Sequence, residues 1–183
     1  MRVRHSALVR VTHWITAASF VALVVSGIAI LLAHPRLYWG ETGALGTPSL
    51  VDLPLPMILT GQSGWGRYLH FLAAWICLLT ALAYVPSSVR PGHFAKYTFA
   101  QRITYRTVVF ALFPLMIWTG FAMSPAITSV FPVLVTSLGG QQSARTIHFV
   151  VANLLLLFLV IHVIMVTLAG FTRHVGAMIL GSA

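Results

Sequence analysis

The chain has 183 residues, 58% hydrophobic and only 7% charged, with a formal net charge of +9. So few charges cannot cover a water-soluble globule, so the surrounding medium must be largely lipid. The basic residues form no separate soluble domain, which argues against nucleic acid as a partner. The two acidic residues, Glu41 and Asp52, leave no nucleophile–base–orienter set for hydrolytic chemistry.

A membrane-spanning helix needs about 20 apolar residues. Four apolar runs predict spans over about 12–33, 67–85, 104–124 and 145–171, with an outer loop over 34–66. The expected fold is an all-α membrane protein, a four-transmembrane-helix bundle forming one domain over 1–183. Arg2, Arg4 and Arg10 precede the first span, yet its apolar stretch is too long for a signal-peptide core. It reads as an uncleaved span ending at His34-Pro35, where proline prevents helix continuation.

The loop that follows carries Pro35, Pro48, Pro54 and Pro56, and its apolar run 50–59 is too short to cross. Loops of such length are commonly functional. It either docks a periplasmic partner or caps the helix ends. The second span is expected to stop at Pro86, before an inner loop holding Arg90, His93, Lys96, Tyr97, Arg102 and Tyr105. Pro114 should kink the third span. A loop is expected over 125–144, and a short apolar tail, 175–180, should lie along the inner interface. No internal repeat stands out. The lone Cys77 forms no disulfide within the chain, and without C-x-x-C-H there is no covalent haem, so it reads as a small packing residue.

Lys and Arg set the orientation. Arg2, Arg4, Arg10, Arg90, Lys96, Arg102, Arg106 and Arg173 lie on one side, and Arg36, Arg67 and Arg145 on the other. The positive-inside rule then places both termini of this multi-pass chain in the cytoplasm, and the expected location is a bacterial inner membrane.

Four histidines fall within the spans, where an imidazole is costly and marks function. By the topology His13 lies near the inner face, while His70 and His148 lie near the outer face. His162 is fourteen residues beyond His148, roughly 21 Å deeper along one helix face. Depth therefore pairs His13 with His162 and His70 with His148. Gly27, fourteen residues after His13, reaches the depth of the outer pair; it either admits a flat macrocycle or makes a close helix contact.

Paired imidazoles without cysteine or carboxylate do not suit zinc or di-iron. They suit haem iron inside a four-helix cavity. Two b haems are expected, with His13 and His162 ligating the inner iron and His70 and His148 the outer. Arg10, Arg67 and Arg145 each precede a ligand by three residues, which places a guanidinium where haem propionates emerge; snorkelling to the interface accounts for them equally. His5, His34, His93 and His174 fall in loops or tails.

The segments Val11-Thr12-His13-Trp14, Gly66-Arg67-Tyr68-Leu69-His70-Phe71 and Ala144-Arg145-Thr146-Ile147-His148-Phe149, with the interval to His162, resemble bacterial cytochrome b561-like membrane subunits. That group includes the cytochrome b subunits of hydrogenase, formate dehydrogenase (gamma) and thiosulfate reductase. His34 to Gly40 and the run from Lys96 to Tyr105 look most like the thiosulfate reductase type. The resemblance covers nearly the whole chain. It implies a quinone or quinol substrate beside the inner haem, and a periplasmic redox protein, such as a molybdopterin oxidoreductase, facing the outer one. Gln101, Arg102, Tyr105 and His162 are the quinone-site candidates. The expected function is electron transfer between the quinone pool and that partner. A self-sufficient quinone-linked membrane oxidoreductase and a haem-free transporter are the alternatives.

Overall fold

The computed structural model describes residues 6–43, 47–53, 62–88 and 98–181. The elements are α1 (Ala7–Ala33), β1 (Arg36–Leu37), β2 (Val51–Asp52), α2 (Gln62–Ser88), α3 (Phe99–Thr107), a π-helical turn (Val108–Leu112), α4 (Phe113–Ala122), α5 (Pro125–Thr128), α6 (Val133–Thr136), α7 (Gln141–Leu168) and α8 (Phe171–Leu180). Among the described residues, four helical stretches are long and apolar enough to cross a membrane: Ala7–Ala33, Gly64–Val85, Phe99–Ala122 and Gln141–Leu168. Two compact units are distinguished, Met1–His34 with Pro56–Phe94 and Ile161–Ala183, and Pro35–Leu55 with Ala95–Val160. Helix α7 contributes to both.

In the first unit, the Ser6 hydroxyl caps α1 by accepting from the Val9 N–H. The helix ends as Pro35 forces His34 out of the helical region, to φ −141° and ψ 72°. Helices α1 and α2 pack along their length, and their buried positions are small: Thr12, Ser19, Ser26 and Ala29 on α1, Ala73, Cys77 and Thr80 on α2. Lipid offers no hydrophobic drive between helices, so close backbone approach through small residues must hold the pair. Gly66 is the tightest point, since a Cβ there would lie 3.2 Å from Ala29 Cβ. The Thr12, Ser26 and Thr80 hydroxyls donate to carbonyls one turn back, which satisfies them inside the span. Large side chains such as Val21, Val25, Ile28, Leu72 and Leu79 remain exposed, as a lipid-facing surface requires.

Beyond Leu168 the chain turns at Gly170, whose φ of 107° ends α7 earlier than residue 171. Helix α8 returns to α1. Arg10 Nη1 donates to the Ile179 carbonyl at 2.7 Å and Trp14 Nε1 to the Met178 carbonyl at 3.1 Å. These carbonyls belong to the last turn of α8, which has no intrahelical donors for them and favours a cation.

In the second unit, β1 and β2 pair antiparallel, Arg36 with Asp52 and Leu37 with Val51. The exposed Arg36–Asp52 ion pair spans 3.1 Å, and the carboxylate raises the guanidinium pKa further above its ordinary value. The Gly40 carbonyl accepts from the Gln142 and Ser143 N–H groups, capping α7. Gly140, at φ 113°, meets Gly40 so closely that a side chain would strike its carbonyl. Thr146 Oγ1 donates to the Tyr38 carbonyl at 2.6 Å, buried on both sides.

Helix α2 runs on to Ser88, past the Pro86 at which the apolar span ends. Just before Pro114 the helix widens into a π turn, where the Phe113 N–H reaches back to the Val108 carbonyl. One local expectation is corrected. The segment 125–144 is no plain loop: it forms α5, α6 and the start of α7 over a small core of Ala122, Val135 and Ala144. Most of the run 50–59, together with Arg2, Arg4, His5, Arg90, His93, Lys96 and Tyr97, lies outside the described residues.

Candidate functional site

Two of the span histidines meet in the first unit. The rings of His13 on α1 and His162 on α7 have centroids 6.5 Å apart, tilted by 51°. Trp14 stands edge-on to His13 at 5.2 Å. Next to them are Arg10, whose Nε is buried without a partner among the described residues, and the end of α8.

His70, also in the first unit, sits in a cradle made by α1. Its Nδ1 lies 3.0 Å from Ser26 Oγ, and a Cβ on Gly27 would lie 3.7 Å from its Cε1. Gly27 thus faces the His70 ring. Arg67, one turn earlier, lines an open groove of about 270 Å³ with Gly64, Tyr68 and Phe71.

His148, in the second unit, has a cradle of the same form. Its Nδ1 lies 2.8 Å from Thr119 Oγ1, and a Cβ on Gly120 would lie 3.8 Å from its Cε1. The small pair Ala29 and Gly66 of the first cradle has its counterpart in Ala122 and Ala144. Aligned by these contacts, Ser26-Gly27-Ile28-Ala29 answers to Thr119-Gly120-Phe121-Ala122. Gly66-Arg67-Tyr68-Leu69-His70-Phe71 answers to Ala144-Arg145-Thr146-Ile147-His148-Phe149. The chain therefore does contain an internal repeat, [ST]-G-x-A followed by [GA]-R-x-[LI]-H-F. The halves are 44 residues apart in one copy and 29 in the other, which hides the repeat from a search at fixed period. Ser26, Thr119 and Gly120 are the residues that sequence reasoning missed.

A hydroxyl–imidazole bond between membrane helices is worth roughly 0.6 kcal/mol, too little to hold two helices together. Its weight lies in orienting the ring.

The remaining candidates belong to the second unit. Gln101 closes a capping box: the Thr98 N–H donates to its Oε1 at 3.1 Å, and its own N–H donates to Thr98 Oγ1. Arg102 is half-buried. Tyr105 stands edge-on to Phe158 at 6.2 Å, and Phe158 is four residues before His162 on α7. Arg145 is half-buried on α7.

A family model described as prokaryotic cytochrome b561 matches residues 4–181. The chain belongs to that family. A relative from Azospira oryzae, named as a protein-methionine-sulfoxide reductase subunit (YedZ1), is 28% identical over 202 residues, covering 92% of each chain. No solved structure matches. Membership makes the chain an integral, multi-pass membrane protein that binds b-type haem and carries electrons.

The residues present fit such a group. A metal held by two imidazoles lies about 2 Å from each nitrogen. Adding each ring's own half-width puts the centroids about 6 Å apart, close to the 6.5 Å between His13 and His162. No cluster of three or more His, Cys, Asp or Glu occurs among the described residues.

Proposed function

We propose that the chain is the two-haem electron-transfer subunit of an inner-membrane oxidoreductase complex, passing electrons between the quinone pool and a periplasmic partner. The observation that carries this reading is the approach of His13 and His162, two imidazoles on different helices at the separation an axial pair requires. In this account His13 and His162 hold one haem, and His70 and His148 the other. Haem held by these histidines would supply reversible one-electron chemistry.

The protein's own groups do the rest. Arg10, Arg67 and Arg145 are assigned to the propionates; the buried, unpartnered Nε of Arg10 supports its place in that set. Gln101, Arg102, Tyr105 and His162 are assigned to quinone. The Tyr105–Phe158 contact, one helical turn before His162, supports the grouping. The Gln101 carbonyl is engaged in its capping box, which leaves the amide N–H₂ to donate to a quinone oxygen.

The partner is assigned to the periplasmic side, at the outer loop over 34–66. The name of the Azospira oryzae relative makes a reductase of protein methionine sulfoxide the first partner to test, and a molybdopterin oxidoreductase remains the class inferred for it. The purified chain should contain two b haems and be reduced by quinol. It should then be reoxidised by the partner reductase with a methionine-sulfoxide protein. Absence of haem, or quinol reduction that survives loss of His13 and His162, would contradict the reading.

A further inference from the structure

The cradles around His70 and His148 settle more than ring position. Ser26 Oγ lies 2.6 Å from the Ala22 carbonyl and 3.2 Å from the Leu23 carbonyl, besides its 3.0 Å contact with His70 Nδ1. A hydroxyl has one proton, and a carbonyl can only accept. The short contact with Ala22 uses that proton, so the hydroxyl meets Nδ1 with a lone pair. Nδ1 must then carry the ring hydrogen.

Thr119 repeats the arrangement. Its Oγ1 lies 2.9 Å from the Leu115 carbonyl, 3.0 Å from the Met116 carbonyl and 2.8 Å from His148 Nδ1. Donation to His148 would leave two carbonyls facing an oxygen without a hydrogen between them. Donation to the backbone lets all three contacts be attractive, provided that His148 Nδ1 is the donor.

We infer that Ser26 and Thr119 are positioning residues that lock His70 and His148 in the Nδ1–H tautomer, so that each presents Nε2 to the haem iron, and that the paired hydrogen bonds lower the potential of that haem. The inference rests on the proposed ligation by His70 and His148. A ligand imidazole whose N–H is held by an acceptor is a stronger base, which favours the oxidised metal. Gly27 and Gly120 complete the device by leaving the Cε1 edge of each ring clear of side chains.

The test is a potentiometric titration of the purified, haem-loaded chain carrying Thr119→Val, Thr119→Ser or Ser26→Ala. The haem concerned is identified as the one lost in His148→Ala. Its midpoint potential should rise in Thr119→Val and in Ser26→Ala, return in Thr119→Ser, and leave the other haem unmoved. Should Thr119→Val fail to fold, Ser26→Ala removes a single oxygen and reads the same quantity. Unchanged potentials in haem-replete Thr119→Val or Ser26→Ala would overturn the inference. So would a shift that Thr119→Ser fails to reverse, which would mark a packing effect. Retention of both haems in His148→Ala would instead overturn the ligand assignment, which keeps the two failures apart.

Discussion

The two histidine cradles reach one geometry by different routes. At His70 the supporting helices pack along their length through a stripe of small residues, and Gly66 permits the closest approach. At His148 the supporting α4 meets α7 at Ala122 and Ala144, and the contact is braced from outside by α6, by the Gly40 cap and by the Thr146–Tyr38 bond. The first cradle is built into the helix faces. The second depends on the connecting segments. Both keep a hydroxyl on Nδ1 and a glycine against Cε1, so these two contacts are the part that function holds constant.

The largest effect should come from the ligands themselves. His70→Ala and His148→Ala should each remove about one haem per chain, and the same spectral component in both. His13→Ala and His162→Ala should remove the other. A pyridine haemochrome assay with redox difference spectra reads this directly, and loss of different components within a pair would break the pairing. Next in size is Gly66→Leu. A side chain there strikes Ala29 and the Ser26 carbonyl, parting Ser26 from His70, so haem content should fall roughly ten-fold in affinity terms or more, as measured by haem retention on dilution.

Smaller effects fall on the bracing. Thr146→Val leaves the buried Tyr38 carbonyl without its donor and should cost about 1–3 kcal/mol, seen as a lower Tm and faster proteolysis near Tyr38. The haem assigned to His70 and His148 should be the one that loosens, through His148, and the haem assigned to His13 and His162 should be unaffected. Arg36→Ala should be the smallest. Its ion pair with Asp52 is half-exposed, and such pairs contribute little; Tm should not change measurably.

The spanning helices and the four histidines were legible because lipid makes both conspicuous. Twenty apolar residues leave little choice of element, and an imidazole among them calls for a reason. Depth arithmetic along α7 then brought His13 to His162, and the structure sets those rings together. Ser26 and Thr119 were not legible, since a hydroxyl inside a helix reads as a small packing residue until its neighbour is known. The repeat was hidden by connecting segments of unequal length. The Arg10–Ile179 contact joins residues 169 apart, and no local pattern announces it. Gly40 against Gly140 is likewise a meeting of distant turns, although paired glycines at positive φ mark that something must come close.

The claim that each haem iron sits between two imidazoles is tested most directly by near-infrared magnetic circular dichroism of the oxidised protein, which reports axial ligands. The account predicts low-spin, bis-imidazole bands from every haem in the chain, with one set disappearing in His162→Ala. A high-spin haem in the native protein, or a low-spin haem with any other axial ligand, would contradict it.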